Sequence, residues 1–152
     1  MKLRKLTKKY GVLLIINDRV DIAILSEADG VHVGQSDIDA SMARKLLEED
    51  KIIGVSAKTV EQAKQAKLDG ADYIGVGAIY NTSTKIDAKS IEFNTVKEIR
   101  ENVDIPMVLI GGISVDKIEE LKVLKSDGYA IVSAILKKED IYLETKAFIS
   151  II

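Results

Sequence analysis

The chain contains no cysteine, so disulfides, cysteine-ligated zinc and thiol nucleophiles are excluded. Its single histidine, His32, rules out His-rich metal sites and leaves one imidazole for acid–base chemistry. There is no excess of basic charge: Lys+Arg 22 against Asp+Glu 24 gives a net charge of -2 and no positive field for wrapping nucleic acid. No apolar run approaches the roughly 20 residues of a membrane span. The start, Met1-Lys2-Leu3-Arg4-Lys5, is basic but is not followed by an apolar stretch and cleavage site, so no secretion leader is expected. These absences point to a cytoplasmic protein without nucleic-acid or membrane partners. What is present is ample apolar material, 47% hydrophobic residues in 152, enough for the core of one domain.

Short runs rich in Val and Ile recur along the chain: Val12–Ile16, Val31–Val33, Lys51–Val55, Tyr73–Gly77, Met107–Ile110 and Tyr129–Val132. Apart from Lys51 at an edge, they are apolar on both faces, as buried parallel strands are. The stretches between them carry helical spacing: Val96, Ile99 and Val103, or Ala43, Leu46 and Leu47. Thr59 followed by Gln62 is a capping-box pattern for a helix running to about Leu68. A last helix from about Glu139 places Ile141, Phe148 and Ile152 on one face. Asp-Gly precedes a strand at Asp29-Gly30, Asp69-Gly70 and Asp127-Gly128, where glycine is expected to terminate the preceding helix in the left-handed conformation. Pro106, the only proline, stands at a strand start, where no ladder donor is needed.

Repeated β-then-α units predict an α/β fold with a parallel sheet, either a barrel or a doubly wound sheet. A dinucleotide-binding sheet would want G-x-G-x-x-G after an early strand, and none is present. The spacing of about twenty residues also suits leucine-rich repeats, but their repeat pattern is missing. A barrel requires its functional residues just after the strands' carboxyl ends. Asn17 and Asp18, Gln35 and Asp37, Ser56 and Lys58, Thr82 to Lys85, Gly111 and Gly112, and Ser133 all stand in such positions.

Several of these groups have two readings. Asp18 and Asp37, on consecutive loops, suit a shared hard cation such as Mg²⁺ together with phosphate oxygens, or serve as helix caps. Thr82-Ser83-Thr84-Lys85 gathers three hydroxyls and an ammonium, fit for phosphate oxygens or for an ordinary polar loop. Gly111-Gly112, between a strand and a helix, suits backbone approach to phosphate or a tight turn with Ser114 as helix cap. The phosphate reading is favoured there, because Ser133 ends the next strand. His32, inside a strand, reads as a satisfied structural residue, and Lys58 as solvated. Tyr73, Tyr80 and Tyr129 read as packing residues.

In this order, the stretches LIINDRVDIA (14–23), ADGVHVGQSD (28–37), KIIGVSAKT (51–59), GADYIGVGAIYNTSTK (70–85), IPMVLIGGIS (105–114) and AIVSAI (130–135) resemble the thiamine-phosphate synthase family. The likeness runs from about Tyr10 to Leu136. The related thiazole tautomerases share the scaffold, but they more often lack the Asp of IND and usually carry His where this chain has Lys58.

The resemblance implies a TIM barrel and a transferase of thiamine biosynthesis. It would join hydroxymethylpyrimidine diphosphate to thiazole phosphate and release pyrophosphate with Mg²⁺. It further implies Asp18 and Asp37 as Mg²⁺ ligands and Asn17 as a diphosphate contact. Ser56 would touch the pyrimidine or its diphosphate, and Lys85 would neutralise the leaving pyrophosphate. Thr82 and Thr84, with Gly112 and the backbone at Val132 and Ser133, would hold the thiazole phosphate. In that family the IND strand is the third of eight, and a Q-x-R-x-K strand precedes it. Neither earlier strand is recognisable before Tyr10, so six of eight strands are expected in an incomplete barrel spanning 1–152. Three outcomes are open: a fragment with weak activity, a homo-oligomer in which another copy supplies the missing wall, or a non-catalytic phosphate-binding or regulatory module.

Overall fold

The computed structural model describes residues 2–81 and 90–152. Among these, six strands form one parallel sheet: β1 (Ile15–Asn17), β2 (Gly30–Val33), β3 (Ile52–Ala57), β4 (Tyr73–Gly77), β5 (Met107–Ile110) and β6 (Gly128–Ala130). The helices are α1 (Lys2–Tyr10), α2 (Val20–Leu25), α3 (Ala40–Leu46), α4 (Val60–Leu68), α5 (Phe93–Asn102), α6 (Ile118–Leu121), α7 (Ser133–Leu136) and α8 (Ile141–Ile151). Strand order follows chain order from β1 to β6 with no reversal. A doubly wound sheet reverses its order at a switch point, so the sequential arrangement is that of a (β/α) barrel.

The two faces of the sheet differ. Val31, Val33, Ile53, Val55, Ala57, Ile74, Val76, Met107 and Leu109 alternate along their strands and are buried. They meet Ala43, Ala63, Val96, Ile99, Ile118 and Leu121 in one apolar core. The in-register partners on the opposite face are Asn17, His32 and Gly54, then Ser56 and Gly75, then Gly77 and Ile110. That face is polar or glycine-rich, which corrects the expectation of strands apolar on both sides. The apolar runs mark the helix-covered face, and the small or polar residues between them mark the inner one.

The expected bounds hold for β4 and β5. The first strand begins at Ile15 rather than Val12, because Val12 and Leu13 are exposed and unpaired with β2. The last strand lies earlier than expected and ends at Ala130. Thr59 caps α4 as expected, accepting from Gln62 N–H at 3.2 Å. The Gln62 side chain reaches back one residue further than a capping box does, to Lys58 N–H at 2.7 Å. Leu46 is exposed while Ala43 is buried, and on α8 only Phe148 of the expected apolar face is buried.

Of the Asp-Gly pairs, Asp69-Gly70 ends its helix as expected, with Gly70 at φ +84. At the other two pairs the left-handed residues are Glu27 and Lys125. Asp29 and Asp127 do something else, and Asp72 joins them. Each stands one residue before β2, β6 or β4. Asp29, Asp72 and Asp127 donate their backbone N–H to the carbonyls of Leu14, Ile53 and Met107 at 2.9, 2.8 and 2.8 Å. Their carboxylates accept from the N–H groups of the same three residues at 2.7, 2.7 and 2.8 Å. Each carboxylate also pairs with an arginine of an odd-numbered helix: Arg4, Arg44 or Arg100 at 2.6, 2.6 and 3.0 Å. The amino ends of the strands are thus clamped in pairs by a device used three times.

Candidate functional site at the carboxyl ends of the strands

Immediately after β1 the chain makes a tight turn. Asp18 adopts φ 64, a left-handed conformation that Asp tolerates better than most residues. Its N–H donates to the His32 carbonyl at 2.7 Å, and Arg19 N–H donates to the Asn17 carbonyl at 2.8 Å. The turn therefore fixes Asn17 and Asp18 against the end of β2. Arg19 pairs with Asp21, whose carboxyl is held down to about 2 by that guanidinium. The Asp18 carboxylate has no hydrogen bond or ion pair among the described residues.

Asp37 is placed by the loop after β2, its Oδ2 accepting from Gly34 N–H at 2.7 Å. Neither Asp18 nor Asp37 caps the helix that follows. The N-cap positions belong to Arg19 and Asp39, and neither makes a side-chain cap bond. Asp18 and Asp37 instead border one open groove of about 560 Å³, lined also by Val20 and Ile24 of α2 and by Ile38 and Leu46. Among the described residues no cluster of three or more His, Asp or Glu side chains is placed to hold a metal alone. Two carboxylates, one of them unengaged, fit the part of a Mg²⁺ shell that a protein supplies when phosphate and water complete it.

Ser56 is held from both directions. Gln35 Nε2 donates to its carbonyl at 2.7 Å, and its Oγ lies 2.9 Å from His32 Nε2. His32 Nδ1 in turn lies 2.9 Å from the Tyr73 hydroxyl. Burial holds the Tyr73 hydroxyl above its ordinary value, so it stays protonated. His32 is satisfied, as expected, and Tyr73 and Ser56 of the inner face are among its partners. Lys58 is exposed.

The loops after β4 and β5 are built against each other. Ile79 N–H donates to the Ile110 carbonyl at 2.9 Å and Tyr80 N–H to the Gly111 carbonyl at 3.0 Å. Gly111 and Gly112 take φ +98 and +67, and a Cβ on Gly112 would sit 2.7 Å from the Asn81 carbonyl oxygen. Both the dihedrals and the close approach require glycine here. Lys117, passed over in the sequence, lies with its Nζ 3.4 Å from the Gly112 carbonyl and 3.9 Å from the Tyr80 ring centre. The Tyr80 hydroxyl, raised by burial and by its bond to Glu120, donates to that carboxylate. Val132 is exposed and Ser133 opens α7, just after β6 and next to the glycine loop's own strand. Thr82, Ser83, Thr84 and Lys85 lie outside the described residues.

Fold and rim together define an α/β protein of the TIM-barrel type, with its polar groups gathered where the strands end. The family model described as "Thiamine monophosphate synthase" matches residues 1–135. A thiamine-phosphate synthase of Clostridioides difficile (strain 630) is 66% identical over 146 residues, covering 96% of this chain and 70% of that protein. One of Clostridium beijerinckii is 53% identical, again over 96% of this chain and 70% of its own length. The solved thiamine phosphate pyrophosphorylase from Pyrococcus furiosus superposes with a TM-score of 0.90 at 38% identity, over 98% of this chain and 71% of that one. A 3-hexulose-6-phosphate synthase, at 18% identity and a TM-score of 0.76, shares the fold. The chain belongs to the thiamine monophosphate synthase family, transferases of thiamine biosynthesis.

Proposed function

We propose that the chain joins hydroxymethylpyrimidine diphosphate to thiazole phosphate, giving thiamine phosphate and pyrophosphate. The observation carrying this reading is the placement of Asn17, Asp18, Asp37 and Ser56 at the carboxyl ends of β1, β2 and β3, in a fold that superposes on a pyrophosphorylase with a TM-score of 0.90. In the reaction the methylene C–O bond to the diphosphate breaks with its electron pair leaving on oxygen. The thiazole nitrogen lone pair then forms the new C–N bond. No protein nucleophile is needed, which suits a chain without cysteine.

Asp18 and Asp37 would hold Mg²⁺ against the diphosphate, and the ion when bound supplies positive charge for the departing group. Asn17 and Ser56 would orient the diphosphate and the pyrimidine. The Gly111-Gly112 loop and the backbone at Val132 and Ser133 would receive the thiazole phosphate. The roles of Thr82, Thr84 and Lys85 rest on the sequence motif alone. Calorimetric titration with thiazole phosphate or thiamine phosphate tests the phosphate half of the site. Saturable binding weakened by Gly112→Ala is the expected result, and no binding of either ligand at millimolar concentration contradicts it.

The protein is also proposed to self-associate. Leu3, Leu6 and Tyr10 on α1, with Leu13, are each more than half exposed, as are Tyr142, Leu143 and Ile149 on α8. Apolar surface of that extent favours association. A single species of monomer mass in sedimentation contradicts this.

A further inference from the structure

The inner face of the sheet carries a hydrogen-bonded line of three side chains from three adjacent strands: Tyr73 of β4, His32 of β2 and Ser56 of β3. The seat for this line is built by glycine. A Cβ at Gly75 would lie 2.8 Å from His32 Cε1 and 3.2 Å from Nε2, and one at Gly54 would lie 2.1 Å from Tyr73 Cζ and 2.4 Å from its hydroxyl oxygen. Two strand positions therefore give up their side chains so that the imidazole and the phenol can lie across the sheet. A ring that only filled space would not need both nitrogens aligned on hydroxyls at 2.9 Å.

We propose that Tyr73 and His32 are positioning residues whose bonds run in one direction and make Ser56 a hydrogen-bond donor toward the pyrimidine diphosphate substrate. The proposal rests on the synthase reading for its substrate, while the polarity follows from the groups themselves. Each hydroxyl has one proton, and a neutral imidazole has one N–H and one acceptor nitrogen. If Tyr73 donates to Nδ1, the ring proton sits on Nε2 and donates to Ser56 Oγ. The serine proton is then left to point into the site. In the opposite polarity Ser56 donates inward, and the Tyr73 proton must find another acceptor. No other hydrogen bond of the Tyr73 hydroxyl exists among the described residues, and the ring is partly buried, so an unused O–H there is disfavoured. Ser56 sits at the rim, where substrate or solvent can accept its proton.

His32 is the only histidine, so its tautomer can be read without assignment. Long-range nitrogen–proton NMR of the labelled full chain at mildly alkaline pH is expected to show Nε2 protonated and Nδ1 bare. Ser56→Ala should keep that tautomer, and Tyr73→Phe should mix it. An Nδ1-protonated ring in the parent protein overturns the relay. In turnover, Tyr73→Phe is expected to lower kcat about tenfold with KM little changed, the size of one lost hydrogen bond at the transition state. It should add nothing further to Ser56→Ala. Multiplying losses in the double variant would mean that Tyr73 acts independently of Ser56, and would overturn the relay. The expected tautomer in a chain without turnover would remove the synthase reading and uphold the relay's polarity.

Discussion

Arg4 grips Asp29 with both terminal nitrogens, at 2.6 and 2.9 Å, while the same carboxylate accepts the Leu14 N–H at 2.7 Å. One helix and the starts of two strands are thereby joined through a single side chain. Its counterparts are Arg44 with Asp72 and Arg100 with Asp127, so the amino-terminal rim is fastened in three matching places.

The three clamps differ in exposure, and their contributions should rank accordingly. The Arg4 and Asp29 side chains are 14% and 25% exposed, whereas Asp72 and Asp127 are 48% and 53% exposed. Asp29→Asn keeps the shape but loses the charge, and should cost about 1.5–3 kcal/mol, the range for hydrogen bonds to charged groups. Asp72→Asn and Asp127→Asn should cost less, since exposure screens an ion pair. Urea unfolding of the three variants checks the ranking, and equal losses would contradict it.

The same carboxylate sets a pH dependence. Arg4 first, and then the Leu14 N–H, hold Asp29 below the ordinary carboxylate range. A lowered folded value means that the stabilisation is fully present above the unfolded value, near 4, and is lost as pH falls through the folded one. Acid should therefore narrow the stability gap between the parent and Asp29→Asn. A gap unchanged between neutral pH and pH about 3 would contradict the assignment.

Gly70 and Gly112 separate dihedral strain from crowding. Gly70 has φ +84 and nothing within reach of an added Cβ, whereas Gly112 has φ +67 with Asn81 and Tyr80 in the way. Gly70→Ala should cost about 1–2 kcal/mol, the price of a left-handed residue with a side chain. Gly112→Ala should cost more and should also weaken phosphate binding. Thermal denaturation with and without thiazole phosphate measures both effects, and a Gly112→Ala protein as stable as Gly70→Ala contradicts the crowding.

The strands were readable where an apolar run coincides with a buried face. Tyr73–Gly77 and Met107–Ile110 match the observed strands residue for residue. Val12 and Leu13 misled because they are apolar yet exposed, and nothing local in the sequence distinguishes them from strand residues. Asp29 and Asp127 stood out through their glycines, but their role depends on strand starts 15 and 20 residues away, which no short window contains. His32 could be recognised as satisfied but not by what. A polar residue between Val31 and Val33 must face away from the core they enter, and that alternation points to the inner face. Asp18 and Asp37 were legible as rim residues from their positions after strands. That neither caps a helix took the backbone geometry to establish.

The synthase reading is tested most directly by turnover. The purified chain is mixed with hydroxymethylpyrimidine diphosphate, thiazole phosphate and Mg²⁺, and formation of thiamine phosphate and pyrophosphate is followed together. The account predicts equal amounts of the two products and a rate that falls at least about a hundredfold in Asp18→Ala, the loss of one major electrostatic contact at the transition state. No thiamine phosphate from the parent chain, or a rate indifferent to Asp18→Ala, would contradict it.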